Sequence, residues 1–260
     1  MERVYPFTNE NLSSYENLYN FDNAKVLSVI GSGDQYFSSL LYGAKEIELY
    51  DCNFLAWDFF VLKFYGIIIL NYEEFYNFFV TERLNNLTYL NKILPYLPID
   101  VATRIMKLQK KYRLLSKLLY IDAIDHKYNN GSSIPYFDKE KFYQLKSILM
   151  NKKLPTFYLS NLQSLPSILE KKSYDIILTS NIFDWMYDDE LKGECANLCV
   201  KEYKKLLSRF NYGEIQALYC WIISANLQQA FEKHDFEIVK VPNTKMLSLS
   251  QDSVVSLRKK

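Results

Sequence analysis

A pair of glycines separated by one residue is the clearest chemical feature of this sequence. Gly31, Ser32 and Gly33 directly follow the short apolar run 25–30. Glycines at the end of a first parallel strand allow a tight turn and bring backbone N–H groups close to a ligand at the start of the next helix. A dinucleotide fingerprint would require a third glycine at position 36, which Tyr36 occupies. The turn therefore disfavours NAD.

An acidic residue follows at the spacing expected of a ribose ligand. Asp51 ends the second apolar run, 46–50, and lies at about the separation from Gly33 at which ribose-binding acids occur. A carboxylate at that strand end can accept hydrogen bonds from both ribose hydroxyls, although a helix cap or turn is the alternative. S-adenosylmethionine (SAM) carries a ribose but no phosphate, so the two features together favour SAM as the cofactor.

Alternating apolar runs predict the scaffold that positions these residues. The predicted strands are 25–30, 46–50, 156–159, 174–180, 214–223, 237–241 and 253–257, and the predicted helices are 35–42, 164–171, 189–207 and 225–234. This alternation predicts an α/β fold with a doubly wound, mostly parallel Rossmann-like sheet that ends in an antiparallel pair. Residues 71–150 have helical patterns without a strand, so we expect a helical insertion after the second strand in a single SAM-binding domain, 1–260.

Composition narrows the class of protein. The chain has 260 residues and a net charge of +1, which is no strong signal for nucleic-acid binding. No signal peptide or apolar run of about 20 residues is present, which predicts a soluble, cytoplasmic protein without a transmembrane segment. The four cysteines have no zinc-ligand spacing, so we expect reduced structural thiols and no metal.

The segment Arg104–Lys117 contains six basic residues and no acidic one. At 100° per residue, an apolar stripe that includes Val101 and Ile105 lies opposite Arg104, Lys107 and their basic neighbours. One interpretation is a solvated outer helix face. The other is a binding surface for an anionic ligand, such as a phosphate-bearing substrate or a lipid surface.

Three short motifs carry a family resemblance. G-S-G-D-Q at 31–35, Y-D-C-N at 50–53 and S-N-I-F-D-W at 180–185 resemble class I SAM-dependent methyltransferases. They are also similar to a bacterial group related to betaine-lipid synthases, which use SAM as the donor of a 3-amino-3-carboxypropyl group. The class resemblance covers the regions 20–70 and 154–257.

The resemblance implies a set of site residues. Those expected to bind the cofactor are Gly31, Ser32, Gly33, Asp34, Asp51, Asn53, Asn161 and Asn181. Asp184 and Asn181 are the catalytic candidates, with Asp184 as a base or acceptor-orienting group or, alternatively, as a cap of the next helix. Phe183 and Trp185 are expected near the sulfonium or, equally, in the core. The segment 5–8 is expected either to cover the cofactor or to anchor the core.

Three functions remain open at this level. The first, which is favoured, is methyl transfer from SAM to an unidentified acceptor. The second is 3-amino-3-carboxypropyl transfer to a lipid or small-molecule acceptor, and the partner expected for the protein is such an acceptor. The third is a non-catalytic regulator that binds SAM or a nucleotide. Two departures from the class pattern are visible, because Val29 occupies a position that is often acidic and no Asn-Pro-Pro-aromatic signature is present at Ser180–Phe183. The second departure argues against methylation of adenine in DNA.

Overall fold

One seven-stranded sheet organises the part of the chain that the computed structural model describes, residues 3–120, 133–220, 223–242 and 251–259. The strands are β1 Lys25–Val29, β2 Glu46–Asp51, β3 Phe157–Leu159, β4 Tyr174–Leu178, β5 Tyr212–Cys220, β6 Glu237–Pro242 and β7 Gln251–Arg258. Their order is β3-β2-β1-β4-β5-β7-β6. β1 to β5 are mutually parallel, and β7 runs antiparallel between β5 and β6. This confirms the predicted Rossmann-like fold.

Helices cover both faces of the sheet. The α-helices are α1 Tyr15–Leu18, α2 Asp34–Leu41, α3 Phe54–Ile69, α4 Tyr72–Phe75, α5 Leu87–Ile93, α6 Ile99–Tyr112, α7 Lys139–Met150, α8 Leu165–Ile168, α9 Ile182–Met186, α10 Asp189–Glu194, α11 Ala196–Leu207 and α12 Ala225–Lys233. A π-helix, Tyr76–Thr81, continues α4. Because both faces are covered, β1 reads as a continuous apolar run in which Val26 and Leu27 are fully buried.

Several predicted boundaries differ from the observed elements. The helix predicted at 189–207 is divided at Cys195 into α10 and α11. The strand predicted at 174–180 ends at Leu178, because the chain turns at Ser180 with a φ of 54°. The strand predicted at 214–223 begins earlier, at Tyr212, and its positions 221–222 lie outside the described residues.

The segment between α3 and β3 is helical where it is described, at 71–120 and 133–150, and contains no named strand there. Positions 121–132 of the predicted insertion lie outside the described residues. The insertion packs with α2 and α3 on one face of the sheet, while α8, α9, α11 and α12 cover the other. No helix among the described residues combines the length and the apolarity needed to cross a bilayer.

The basic segment 104–117 is not one helix. α6 ends at Tyr112, where Arg113 takes a φ of 62°, and a short 3₁₀ helix follows at Leu115–Leu118. The predicted apolar face is correct at Val101 and Ile105, which are buried. Arg104, however, forms a bidentate hydrogen-bonded pair with Asp58, so the predicted anion-binding face loses this residue.

Two carboxylates occupy the Arg104 guanidinium. Its Nε and Nη2 lie 2.9 and 2.8 Å from the carboxylate oxygens of Asp58, and its Nη1 lies 2.9 Å from Asp100. Such a bidentate pair fixes the guanidinium plane and satisfies its donors. Arg104 therefore joins α6 to α3 and is already neutralised, which contradicts its prediction as a ligand for a bound anion.

Candidate functional site

A cavity of about 520 Å³ lies at the carboxyl ends of β1 to β4. β1 lies between β2 and β4 in the sheet, and the strands that follow these two neighbours, β3 and β5, are added on opposite sides of the sheet. This reversal of strand order is the switch point at which doubly wound sheets bind ligands. The volume is within the range of small-molecule and cofactor sites. The predicted residues that line it are Gly31, Ser32, Asp51, Asn53, Asn161, Asn181 and Trp185.

The two positions of the turn favour glycine for different structural reasons. Gly31 has a φ of 51°, and a Cβ added there would meet no atom within 4 Å. Gly33 has a φ of 84°, and its added Cβ would lie 2.8 Å from Cδ2 of Phe60 on α3. Gly31 therefore faces the open cavity, whereas Gly33 lies outside the cavity wall and permits the close packing of the turn against α3.

Asp51 lies at the edge of the cavity beside this turn. Its Oδ2 accepts a hydrogen bond from the backbone N–H of Gly31 at 3.1 Å, and its Oδ1 accepts one from that of Asn53 at 2.8 Å. Burial raises the pKa of the carboxyl group, and the backbone donors partly oppose that rise. A carboxylate has about four lone-pair positions, so Asp51 keeps acceptor capacity for a ligand.

Two asparagines line the cavity while they also shape its walls. The Asn53 Oδ1 accepts from the N–H of Leu55 at 3.0 Å and so caps α3. The Asn161 Oδ1 accepts from the N–H of Ser164 at 2.9 Å in the turn after β3. In both residues the local hydrogen bond uses the amide oxygen and orients the side chain.

Asp34 has a different place from the one expected for a cofactor ligand. It is fully buried, does not line the cavity, and is surrounded by donors. Its Oδ2 accepts from the Thr8 N–H at 2.6 Å and the Ser32 hydroxyl at 2.8 Å. Its Oδ1 accepts from the Lys63 ammonium at 2.7 Å and from the Tyr136 hydroxyl. Asp34 therefore ties the glycine turn to the N-terminal segment, α3 and the insertion.

Residues 3–10 form a strap across the cavity. Val4 bridges to Leu119 of the insertion, and the ring of Tyr5 stacks on that of Tyr120 at 4.6 Å between centroids. Tyr5 and Tyr120 both line the cavity, whereas Phe7 is buried in the core. The strap thus covers the cavity and anchors the core at once, so both interpretations of the segment 5–8 describe part of it.

The turn after β4 joins the first cavity to a second one. The backbone N–H groups of Thr179 and Ser180 both donate to the Gln216 Oε1, at 3.0 and 2.8 Å. This holds Ser180 at its positive φ and directs Asn181 to the junction. Asn181 and the strap residue Asn9 line both cavities, so a ligand in one cavity is adjacent to a ligand in the other.

The second cavity, of about 470 Å³, is open and polar. Asp184 lies here and not in the first cavity. The Lys192 ammonium lies 2.9 Å from Asp184 and 2.8 Å from Asp189. The cap of α10 is Asp188, whose Oδ1 accepts from the N–H of Leu191 at 2.8 Å, so the alternative role of Asp184 as that cap is not observed.

The two aromatic candidates separate. Phe183 is fully buried and packs against Tyr203 and Phe231, so the expectation that it faces the reacting centre is wrong and its alternative, core packing, is correct. Trp185, two residues and so about half a turn further along α9, is 62% exposed and lines the first cavity. The helical period places the two side chains on different sides of α9.

Sequence reasoning missed two charged residues beneath the site. Lys63 is buried and also donates to the carbonyl oxygens of Pro6 and Ser32, at 2.5 and 2.8 Å. Its signal was available, since it is the one charge that interrupts the apolar run 59–70. Glu10 on the strap is buried as well, and nothing in its local sequence indicated this.

Two solved structures are distant structural neighbours of this chain. No protein-family model and no curated protein matches the sequence. The ribosomal protein L11 methylase of Lactobacillus delbrueckii subsp. bulgaricus is 10% identical, with a TM-score of 0.40 over 96% of this chain and 77% of that one. The rRNA methyltransferase AviRa of Streptomyces viridochromogenes is 11% identical, with a TM-score of 0.41 over 95% and 83%.

These neighbours correct the predicted partners. Their names refer to a ribosomal protein and to ribosomal RNA, which contradicts the expectation of a small-molecule or lipid acceptor without nucleic acid. Arg104 is likewise not available for the anionic ligand expected at 104–117, because it is paired with Asp58 and Asp100. Neither neighbour is a betaine-lipid synthase, so the narrower resemblance gains no support.

Proposed function

We propose that this protein is a SAM-dependent methyltransferase that binds SAM in the first cavity. The observation that carries the proposal is the Asp51 carboxylate, which lies at the switch point beside the open face of Gly31 and retains acceptor capacity. The cavity volume of about 520 Å³ fits a ligand of nucleoside size with a side arm.

Three observations favour SAM over a dinucleotide. Tyr36 is buried against Phe60 on α3, in place of the glycine that a pyrophosphate would need. The Gly33 N–H donates to the Ile30 carbonyl at 2.6 Å and is therefore not free for a phosphate. The antiparallel β7 also departs from the parallel six-stranded order of dinucleotide-binding domains.

Five residues of the first cavity then have a role in binding SAM. Asp51 binds the ribose hydroxyls, Gly31 and Ser32 line the methionine portion, and Asn53 and Asn161 flank the adenine. These positions match the hydrogen-bonding character of the ligand, since an adenine amino group and two ribose hydroxyls need acceptors.

The junction between the cavities is where transfer would occur. Bound SAM supplies an electrophilic methyl carbon on a sulfonium. Asn181 lines both cavities and orients the acceptor toward that carbon, and Asp184 in the second cavity positions the acceptor or removes its proton. The second cavity is open, as the approach of a group on a protein or an RNA requires. A label-transfer experiment identifies which acceptor receives the group.

Calorimetric titration tests the binding half of this proposal. We expect SAM and S-adenosylhomocysteine to bind and NAD not to bind. Asp51→Asn should weaken SAM binding about ten- to a hundredfold, because a hydrogen bond to a charged group contributes about 1.5–3 kcal/mol. The exposed Asp22→Asn is the matched control and should bind normally. Absence of SAM and S-adenosylhomocysteine binding, or an unchanged affinity in Asp51→Asn, would refute the site.

Label transfer tests the reaction. SAM labelled in the methyl group, and separately in the aminocarboxypropyl chain, is incubated with the protein and with purified ribosomal protein or ribosomal RNA. Methyl transfer predicts label in the acceptor only from the first preparation. Label only from the second would exclude methyl transfer. Asp184→Asn should reduce transfer more than it reduces SAM binding, because Asp184 lies outside the first cavity.

A further inference from the structure

Glu10 is a buried carboxylate without a cationic partner among the described residues. Its Oε2 accepts from the Tyr15 hydroxyl at 2.7 Å and the Gln35 amide at 3.1 Å, and its Oε1 accepts from the Ser180 hydroxyl. The side chain is 1% exposed. All three donors are neutral, so no cation among the described residues compensates the negative charge that Glu10 carries when it is ionised.

The neighbouring buried carboxylate has the opposite arrangement. Asp34 is neutralised by the Lys63 ammonium at 2.7 Å. The other titratable groups that face Glu10 are the phenols of Tyr15, Tyr19 and, on β5, Tyr219. Burial raises the pKa of each phenol, so these phenols are uncharged at neutral pH. In the part of the chain that the structure describes, ionised Glu10 therefore has no cation of its own.

That charge lies one layer of side chains behind the cavity wall. Gln35 and Ser180, which both donate to Glu10, line the first cavity. Asn9, its neighbour in the strap, lines both cavities. The carboxylate thus acts on the junction of the two cavities from behind, through residues that would contact a ligand there.

This arrangement is costly for the free protein. Burial of an unpaired charge opposes folding, and it raises the pKa of Glu10. Ser180, which donates to Glu10, has a φ of 54°, a conformation that side-chain-bearing residues rarely take. Strain and uncompensated charge of this kind concentrate where a ligand uses them.

We propose that the Glu10 carboxylate recognises the positive charge of the SAM sulfonium and so distinguishes SAM from its neutral product, S-adenosylhomocysteine. This inference rests on the proposed function. In a partly buried site, unit charges about 10 Å apart interact strongly enough to change an affinity roughly tenfold. The thioether of the product carries no charge and gains nothing, so the same carboxylate favours substrate entry and product release.

The test compares the affinities of SAM and S-adenosylhomocysteine by calorimetry. Glu10→Gln keeps the size of the side chain and removes the charge, and it should lower the ratio of SAM affinity to S-adenosylhomocysteine affinity roughly tenfold. Tyr15→Phe is the matched control, because it removes a hydrogen bond to Glu10 and keeps the charge. Its ratio should equal that of the wild type.

Two further readouts separate charge recognition from a structural role. Glu10→Gln should unfold at the same or a higher temperature than the wild type, because a buried uncompensated charge is removed. In the wild type, the affinity ratio should fall as the pH is lowered and Glu10 becomes protonated, which is a measurement that needs no variant.

Equal weakening of both ligands in Glu10→Gln would overturn this inference and leave Glu10 as a support for the strap. A ratio that is independent of pH in the wild type would overturn it too. If the wild type bound neither ligand, the proposed function itself would fail, so the two failures are distinguishable.

Discussion

The buried ion pair between Lys63 and Asp34 allows a quantitative test of how the cavity floor is held. The Lys63 ammonium lies 2.7 Å from the Asp34 carboxylate, and both side chains are almost fully buried. Burial lowers the pKa of Lys63, and Asp34 opposes that change. Substitution of one partner leaves the other as an uncompensated buried charge, whereas removal of both charges does not.

The expected magnitudes follow from that asymmetry. Lys63→Met keeps the aliphatic stem and removes the ammonium, which should lower the free energy of unfolding by about 3–5 kcal/mol. The lower end is expected, because Asp34 retains the donors of Thr8, Ser32 and Tyr136. The double variant Lys63→Met/Asp34→Asn should recover at least half of that loss.

Urea denaturation at neutral pH measures the double-mutant cycle. Lys92→Met is the control, because Lys92 pairs with Glu74 on the surface and such pairs contribute about 0–1 kcal/mol. The reasoning would be refuted if Lys63→Met cost no more than Lys92→Met. It would be refuted equally if the loss of stability in the double variant were the sum of the losses in Lys63→Met and in Asp34→Asn, because independent residues show such additivity.

The remaining predictions concern the cavity floor and the strap. The buried Tyr50 hydroxyl has no partner among the described residues, so Tyr50→Phe should raise the free energy of unfolding by up to about 1 kcal/mol. Tyr203→Phe removes a 2.6 Å hydrogen bond to a carbonyl oxygen and should lower the free energy of unfolding by about 1 kcal/mol. Urea denaturation measures both changes, and changes in the same direction would contradict this prediction. Gly33→Ala should destabilise the protein by more than the roughly 1–2 kcal/mol that a positive φ costs a residue with a side chain, because its Cβ meets Phe60. Gly31→Ala should lower stability by only about that amount and should also reduce SAM affinity. Thermal unfolding measures the stability and calorimetry the affinity, and equal losses of stability in both variants would contradict the different roles of the two glycines. Burial raises the pKa of Glu10, so the folded state holds the Glu10 proton more tightly than the unfolded state does. Stability should therefore fall as the pH rises from about 4.5, the usual pKa of a glutamate, through the raised pKa. Denaturation at several pH values should show this fall as the difference between wild type and Glu10→Gln, and a difference that does not vary with pH would exclude it.

Local sequence patterns were sufficient for the sheet and for part of the cavity. The strand ends at Gly31 and Asp51 were predictable because a βαβ unit is built from neighbouring residues, and strands that are buried on both faces read as apolar runs. The position of Asn161 and Asn181 after β3 and β4 followed in the same way, since parallel strands end at one edge of a sheet.

The pairing of charged residues could not be predicted from the sequence, because the partners lie far apart along the chain. Glu10 and Ser180 are 170 positions apart, and Lys63 and Asp34 are 29 apart. A local pattern shows that a charged residue interrupts an apolar run, but it does not show the partner that neutralises it. For the same reason Arg104 read as a free cation, although Asp58 of α3 binds it. The strand-turn-helix elements and their acidic and glycine termini could be predicted from the sequence, because they depend on short-range backbone preferences. The second cavity, the strap and the burial of Glu10 depend on contacts between distant segments, which only the folded chain brings together.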